Sequence, residues 1–414
     1  MAEWIECSIG DLCSTISDTY KGNDEYVVLV NTSDVLEGKV LNHETVANKN
    51  LKGQFKKTFK RDDILYSEIR PANKRFAYID FEDTSNYIAS TKLMVLRHNE
   101  KVLPEYLFAL LKSNYVIAEL QHLAETRSGT FPQITFSSEL APMKVFLPDK
   151  DTQIRIVSIL SSIEQKIDKN NEINNNLEQQ AVLLFKKWFI EFDNSSKNML
   201  ETRFGLIPES FKLLKNGELP LVVTDYVANG SFASLKTNVT LYQEPNYAYF
   251  IRNTDLKSGT FEVFVDEHSY NFLSKSTLYG GEIIISNVGD VGSVFLCPKL
   301  DKPMTLGNNI IMLRPEQENL RYYLYIWFKW LYGQSLIRGI KGGSAQPKFN
   351  KTDFKNLPIF LPPDDLLEQF HQIVKPMFEL INENNTENQA LTRTRDTILP
   401  RLMSGELDVS DIEI

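Results

Sequence analysis

The sequence is poor in the residues that most catalytic centres need. Three cysteines (Cys7, Cys13, Cys297) are unevenly placed. They match neither a disulfide framework nor a metal knuckle, so a reducing, cytoplasmic environment is expected. The five histidines (His43, His98, His122, His268, His371) include no pair at metal-ligand spacing. Long hydrophobic runs are missing as well. The longest, Tyr322 to Tyr332, is broken by Lys329 and is too short to cross a bilayer. The opening Met-Ala-Glu-Trp-Ile-Glu has no basic or apolar leader character, so no signal peptide is expected. No Gly-x4-Gly-Lys-[Ser/Thr] phosphate loop occurs, and Gly339-Ile-Lys-Gly-Gly343 reads as a flexible loop. The Asn/Asp-Pro-Pro-Tyr/Phe tetrad of adenine methyltransferases is absent. Pro362-Pro363-Asp364-Asp365 has the prolines without the aromatic and reads as a helix start. Asp62-Asp63 and Asp364-Asp365 are adjacent acids that could hold a metal, although turns and helix starts favour solvated caps. No catalytic residue, metal or cofactor is therefore assigned.

What the chain does have is apolar content. At 414 residues, with 42% hydrophobic and 24% charged residues, it is long enough for two to three domains with a buried core. Positive charge is in short supply overall. The net charge of −9 argues mildly against nucleic acid, whose phosphates need cations. Its distribution is uneven. Between Lys49 and Arg61 lie six basic residues (Lys49, Lys52, Lys56, Lys57, Lys60, Arg61) and no acid. Between Gly333 and Lys351 lie four (Arg338, Lys341, Lys348, Lys351), again with no acid. Each stretch is either a solvated face or a phosphate-binding surface.

An internal repeat organises the whole chain. Val30-Asn-Thr-Ser-Asp34-Val-Leu-Glu-Gly38 resembles Ile251-Arg-Asn-Thr-Asp255-Leu-Lys-Ser-Gly259. Asp63-Ile-Leu-Tyr-Ser67 resembles Glu282-Ile-Ile-Ile-Ser286, and Met94-Val-Leu-Arg97 resembles Ile311-Met-Leu-Arg314. Tyr106-Leu-Phe108 corresponds to Tyr323-Leu-Tyr325. Gly129-Thr-Phe-Pro-Gln133 corresponds to Gly343-Ser-Ala-Gln-Pro347, with the Gln-Pro order reversed, and Val145-Phe-Leu-Pro148 to Ile359-Phe-Leu-Pro362. The offset drifts from 221 to 214, as short loop insertions would make it. Each half opens with short β-type segments bounded by Gly, Asp and Asn, then a helix, then a long helix. Pro104 suits the first turn of the earlier helix.

The long helices carry a heptad stripe. Ile156, Leu160, Ile163, Ile167, Asn170, Asn174, Leu177, Ala181, Leu184 and Trp188 are spaced alternately 4 and 3. Adding 214 gives Phe370, Val374, Met377, Ile381, Asn384, Asn388, Leu391, Arg395, Ile398 and Leu402. One such stripe fits a helix lying on its own domain. Two stripes with Asn at the same two steps favour pairing with each other, because a buried amide needs a partner and fixes register when it finds one. Pro376 is expected to kink the second helix, and Arg395 to reach solvent or a carboxylate. Connectivity favours an antiparallel pair. At 1.5 Å per residue, roughly 38 residues span about 57 Å, and one turn of B-DNA is about 34 Å.

These features together resemble the specificity subunits of type I restriction-modification systems. The run Asp62-Asp63-Ile64-Leu65-Tyr66-Ser67-Glu68-Ile69-Arg70-Pro71 looks like that family's strand-and-loop motif. Gly280 through Gly289 looks like its second copy. Gly343-Ser344-Ala345-Gln346-Pro347 resembles the family's closing loop. Leu147-Pro148 to Gln153-Ile154, Ile167 to Asn174 and Trp188-Phe189 resemble the start, middle and end of its spacer helix. The resemblance implies an α+β fold with two globular target-recognition domains in an internal repeat, separated by two long helices forming an antiparallel coiled coil. The expected divisions are residues 1–148, 149–195, 196–362 and 363–414. It implies a non-catalytic subunit that reads two DNA half-sites and binds two methyltransferase and two restriction/translocase subunits. The alternative is a metal-dependent endonuclease acting alone. For base reading we single out Arg70, Lys74, Arg75, Arg127, Thr130 and Gln133 in the first domain, and Ser286, Asn287, Lys341, Ser344, Gln346 and Lys348 in the second. Lys56, Lys57 and Lys60 are the phosphate candidates.

Overall fold

The computed structural model describes residues 4–49, 51, 53–126, 132–192, 198–202, 205–343, 346–410 and 412. The chain divides into two compact units, Met1–Ile167 with Ala390–Ile414, and Asp168–Gln389. Both mix helix and sheet, and the second repeats the plan of the first.

In the first unit, a four-stranded antiparallel sheet has the order Cys13–Ile16, Leu93–His98, Ile64–Ser67, Phe76–Tyr78. Its two central strands are apolar without alternation because both faces are covered. Side chains alternate between the faces. Tyr66, Met94 and Leu96 join a core formed with the helices Pro104–Leu111 and Asn114–Thr126. Leu65, Leu93 and Val95 join a second core with Val28, Val30 and Ala89. That second core belongs to another four-stranded sheet, ordered Thr45–Ala47, Tyr26–Val30, Tyr87–Ser90, Phe55–Lys57. Its middle pair is parallel. Trp4–Ser8 pairs with Lys144–Pro148, tying the start of this domain to its end.

The second unit has the sheet Leu221–Asp225, Ile310–Pro315, Ile283–Ser286, Val294–Leu296 in the same order and sense. Its companion sheet has five strands, ordered Leu241–Tyr242, Phe264–Val265, Ala248–Ile251, Met304–Leu306, Thr277–Leu278. The pair Ala248–Ile251 and Met304–Leu306 is again parallel. Lys212–Lys215 pairs with Pro358–Leu361 as the first and last strands of the first domain do.

Two helices of 40 residues follow these domains, a central one over Lys150–Phe189 and a C-terminal one over Asp364–Met403. The C-terminal helix is continuous through Pro376. Asp364 and Asp365 occupy its first turn, where acids complement the helix dipole. Within the first unit, Ile156 and Leu160 share a core with Ile398, Leu399, Leu402 and Met403. Within the second, Asn170 donates to Asn388 Oδ1 at 2.9 Å and Asn384 donates to Asn174 Oδ1 at 2.8 Å. Residue numbers thus rise along one helix as they fall along the other. Three residues outside the stripe complete this polar patch. Glu387 Oε2 accepts from Asn170 at 2.8 Å, Asn385 from Asn174 at 3.0 Å, and Asn171 from Asn388 at 3.0 Å. Arg395 bonds the Asp396 carboxylate at 2.7 Å.

The stripe itself drifts toward the helix ends. Ala181, Phe185 and Phe189 are the buried residues at the end of the central helix, while Leu184 and Trp188 are only half-buried. Leu367, Phe370, Val374 and Phe378 are buried at the start of the C-terminal helix, and Met377 and Ile381 are half-buried. A straight helix gains on a 3.5-residue repeat, so its contact face rotates. There the face of both helices meets the core of the second domain. Phe189 lies 4.9 Å from both Tyr323 and Phe370 between ring centroids. Among the described residues, no helix is long and apolar enough to cross a membrane.

Candidate nucleic-acid interface

The strand Ile64–Ser67 is positioned from its start. Asp63, fully buried, accepts two bonds of 2.7 Å from the Arg97 guanidinium and one of 2.8 Å from the Lys60 amide. Glu282 does the same in the second domain. It takes bonds from Arg314 at 3.2 and 3.1 Å and from the amides of Tyr279 and Gly280 at 2.8 and 2.9 Å. A buried carboxylate needs such compensation. Asp62 accepts from the Tyr78 hydroxyl at 2.6 Å. Burial and this bond push the Tyr78 phenol above its ordinary pKa. The adjacent acids at 62 and 63 are therefore structural anchors. Among the described residues, no group of three or more His, Cys, Asp or Glu is placed to hold a metal ion.

Beyond the strand, the chain turns under a buried serine. Ser67 Oγ accepts from the Ile69 amide at 3.1 Å, and Ser286 Oγ donates to the Val288 carbonyl at 3.4 Å. The loop that follows then meets the closing loop of the same domain. In the first domain Ile69 bridges Gln133, Arg70 N–H bonds Pro132 O at 3.1 Å, and Ile134 N–H bonds Glu68 O at 2.8 Å. In the second, Val288 bridges Lys348, Gly289 N–H bonds Pro347 O at 2.9 Å, and Phe349 N–H bonds Asn287 O at 3.0 Å. Two segments about 60 residues apart in sequence are brought together in the same pattern twice. The structural register of the closing loop is shifted by one from the sequence match. Pro132 corresponds to Pro347 and Gln133 to Lys348, because hydrogen bonding to the partner loop sets the register, not the Gly-Ser start.

The candidates fall into three groups. Gln346, Lys348 and Lys341 in the second domain, and Arg70, Lys56 and Lys60 in the first, are exposed. Gln133, Asn287 and Lys74 are partly exposed beside them. Arg70 and Lys74 adopt left-handed backbone, φ 47° and 51°, and Gly289 takes the Arg70 position at φ 77°. A second group is occupied. Arg75 Nη1 donates to the carbonyls of Ser33 and Val35 at 3.1 and 3.3 Å. Lys57 Nζ donates to Leu93 O at 2.8 Å, and burial lowers its ammonium pKa. Ser286 corrects an expectation: it is fully buried, so its hydroxyl shapes the turn and does not face solvent. A third group, Arg127, Thr130 and Ser344, lies outside the described residues.

Sequence reasoning missed the neighbour of this loop. The repeated segments Val30–Gly38 and Ile251–Gly259 each form a capped turn. Asp34 accepts from the Asn31 amide at 2.8 Å and Asp255 from the Arg252 amide at 2.9 Å. Both turns touch the loop after the buried serine. The first does so through Arg75 and through Glu37, 3.5 Å from Lys74 Nζ. The second does so through Lys257, 2.6 Å from Asp290. The repeated motif was the available signal, but spacing alone does not reveal what a turn touches.

This architecture has known counterparts. The family model described as the type I restriction modification DNA specificity domain matches residues 1–179 and 223–393. The chain belongs to that family. The HindI type I restriction enzyme specificity subunit of Haemophilus influenzae is 32% identical, covering 98% of this chain and 100% of that one. The MjaIX specificity subunit of Methanocaldococcus jannaschii is 26% identical over 75% of this chain and 71% of its own length. Among solved structures, the type I restriction-modification S subunit from M. genitalium has the same fold, with TM-score 0.52, 16% identity and coverage of 97% and 96%. The chain is a type I specificity subunit, a DNA-recognition component without a catalytic role.

Proposed function

We propose that the chain reads a bipartite DNA target, one half-site per domain, and directs methylation and cleavage by partner subunits. The supporting observation is the twice-built junction between the loop after the buried serine and the closing loop. It gathers Arg70 and Gln133 in the first domain and Asn287, Gln346 and Lys348 in the second. Side chains of these types match base edges and phosphates. Lys56 and Lys60 serve phosphates in this reading, with Lys341 beside Lys348. Residues 1–148 and 196–362 act as the two readers. Residues 149–195 and 363–414 act as an antiparallel coiled coil that separates them and offers surface to two methyltransferase and two restriction/translocase subunits.

The experiment is domain replacement. Exchanging residues 1–148 for the corresponding domain of a relative should change one half of the methylated sequence and leave the other intact. Whole-genome methylation sequencing of cells carrying the chimera and its methyltransferase reads the result. A change in both halves would sink the independent-reader proposal.

A further inference from the structure

We infer that Lys257 and Asp290 form a brace that positions the second domain's reading loop. The inference rests on the proposal above that this loop meets DNA.

Asp290 directly follows Gly289, the residue bonded to Pro347 of the closing loop. Its Oδ2 accepts from Ser293 Oγ at 2.5 Å, from Lys257 Nζ at 2.6 Å and from Asn253 Nδ2 at 3.5 Å. Ser293 lies across the same loop, and its carbonyl accepts from the Ser286 amide at 2.9 Å. Lys257 and Asn253 come from one short helix, Asn253–Ser258. That helix is itself held. Arg252 bonds the buried Asp255 through its backbone and guanidinium, and Gly259 O accepts from Gln389 of the C-terminal helix at 3.3 Å. A line of bonds therefore runs from the long helix through the capped turn to the tip of the reading loop. The Lys257 ammonium and Ser293 hydroxyl hold the Asp290 carboxyl below the usual carboxylate range.

The first domain makes the same connection with opposite charge. There Pro71 stands where the second domain has Asp290, and the loop supplies cations instead. Lys74 faces Glu37 at 3.5 Å, and Arg75 donates to Ser33 O and Val35 O. The two copies share the connection and not its chemistry. Both members of the Lys257–Asp290 pair are about half exposed, 49% and 46%. An exposed ion pair adds little to global stability, so its removal leaves folding nearly untouched.

The test places Lys257→Met, Asp290→Asn and the double variant in cells with the intact methyltransferase, and sequences the methylated genome. Removing one brace from either end has one effect. Each single variant and the double should therefore lower discrimination in the second half-site equally, by about tenfold, the size of one lost base-specific contact. The first half-site should be unaffected, and Lys257→Arg should retain the parental pattern. A new base preference in Asp290→Asn with Lys257→Met unchanged would overturn the brace and make Asp290 a base reader, since a carboxylate accepts from cytosine N4. Parental patterns in all variants would also overturn it. The paired control is Gln346→Ala with Lys348→Ala. If that variant too leaves the second half-site unchanged, the reading of this loop as the DNA surface is what has failed.

Discussion

Asp63 and Glu282 sit at the same point of the two domains, each a buried carboxylate answered by an arginine from the neighbouring strand. The identity of the acid differs, and so does the geometry. Arg97 reaches Asp63 at 2.7 Å through two nitrogens, whereas the longer Glu282 meets Arg314 at 3.1 to 3.2 Å. Arg314 also lies 4.7 Å from the Tyr279 ring centroid. The energetic asymmetry of such pairs is large. Forming one roughly offsets its desolvation, but removing the cation strands a charge in the core. Arg97→Met should destabilise the protein by about 3–5 kcal/mol, seen as an early transition in thermal unfolding. Adding Asp63→Asn to it should recover part of the loss, because the stranded charge is gone. If Arg97→Met melts with the parent, the pair contributes nothing and the loop is held by backbone bonds alone.

At the scale of the element, the central asparagines join the two long helices. Six asparagines and Glu387 bond in two groups between them, Asn170 and Asn171 with Glu387 and Asn388, and Asn174 with Asn384 and Asn385. An apolar layer would bind without preferring one alignment; an amide layer bonds in one register only. Asn170→Leu should remove the donor that Asn388 Oδ1 accepts from and destabilise by about 1–3 kcal/mol. Asn170→Leu with Asn388→Leu should cost less than the sum of the singles, since both lose the same bond. Chemical denaturation of the four proteins measures this coupling. Strict additivity would mean that the two amides are satisfied by water and do not set the register.

At the scale of the whole molecule, helix length should govern the distance between half-sites. Inserting a heptad between Asn170 and Leu177, and another between Asn384 and Leu391, keeps the stripe on the same face. Each helix grows by about 10 Å. At about 3.4 Å per base pair, the preferred spacer should lengthen by about 3 base pairs. The second half-site also turns by roughly a third of a helical turn, so activity falls while the spacing shifts. A heptad in one helix alone should do worse, because it leaves one stripe unpartnered. The readout is the spacer of methylated sites across the genome. An active double insertion with the parental spacer would refute the ruler and leave the helices as a docking surface.

The sequence by itself determined the repeat, the strands and the long helices, because these depend on local pattern. Apolar runs such as Ile283-Ile-Ile-Ser286 and the 4-3 spacing from Ile156 are visible without coordinates. It also put Arg70 and Gln133 on two loops of the first domain and Gln346 and Lys348 on the closing loop of the second. Tertiary structure decided the rest. It joined those loops by backbone bonds across about 60 residues, set the closing loop one residue out of the sequence register, and buried Ser286. It tied up Arg75 and Lys57 on backbone carbonyls, and shifted the buried face at the helix ends to Phe185, Phe189 and Phe378. The physical reason is common to all of these. Hydrogen-bond partners and burial belong to pairs of segments, and a pattern read along one segment carries no information about the other.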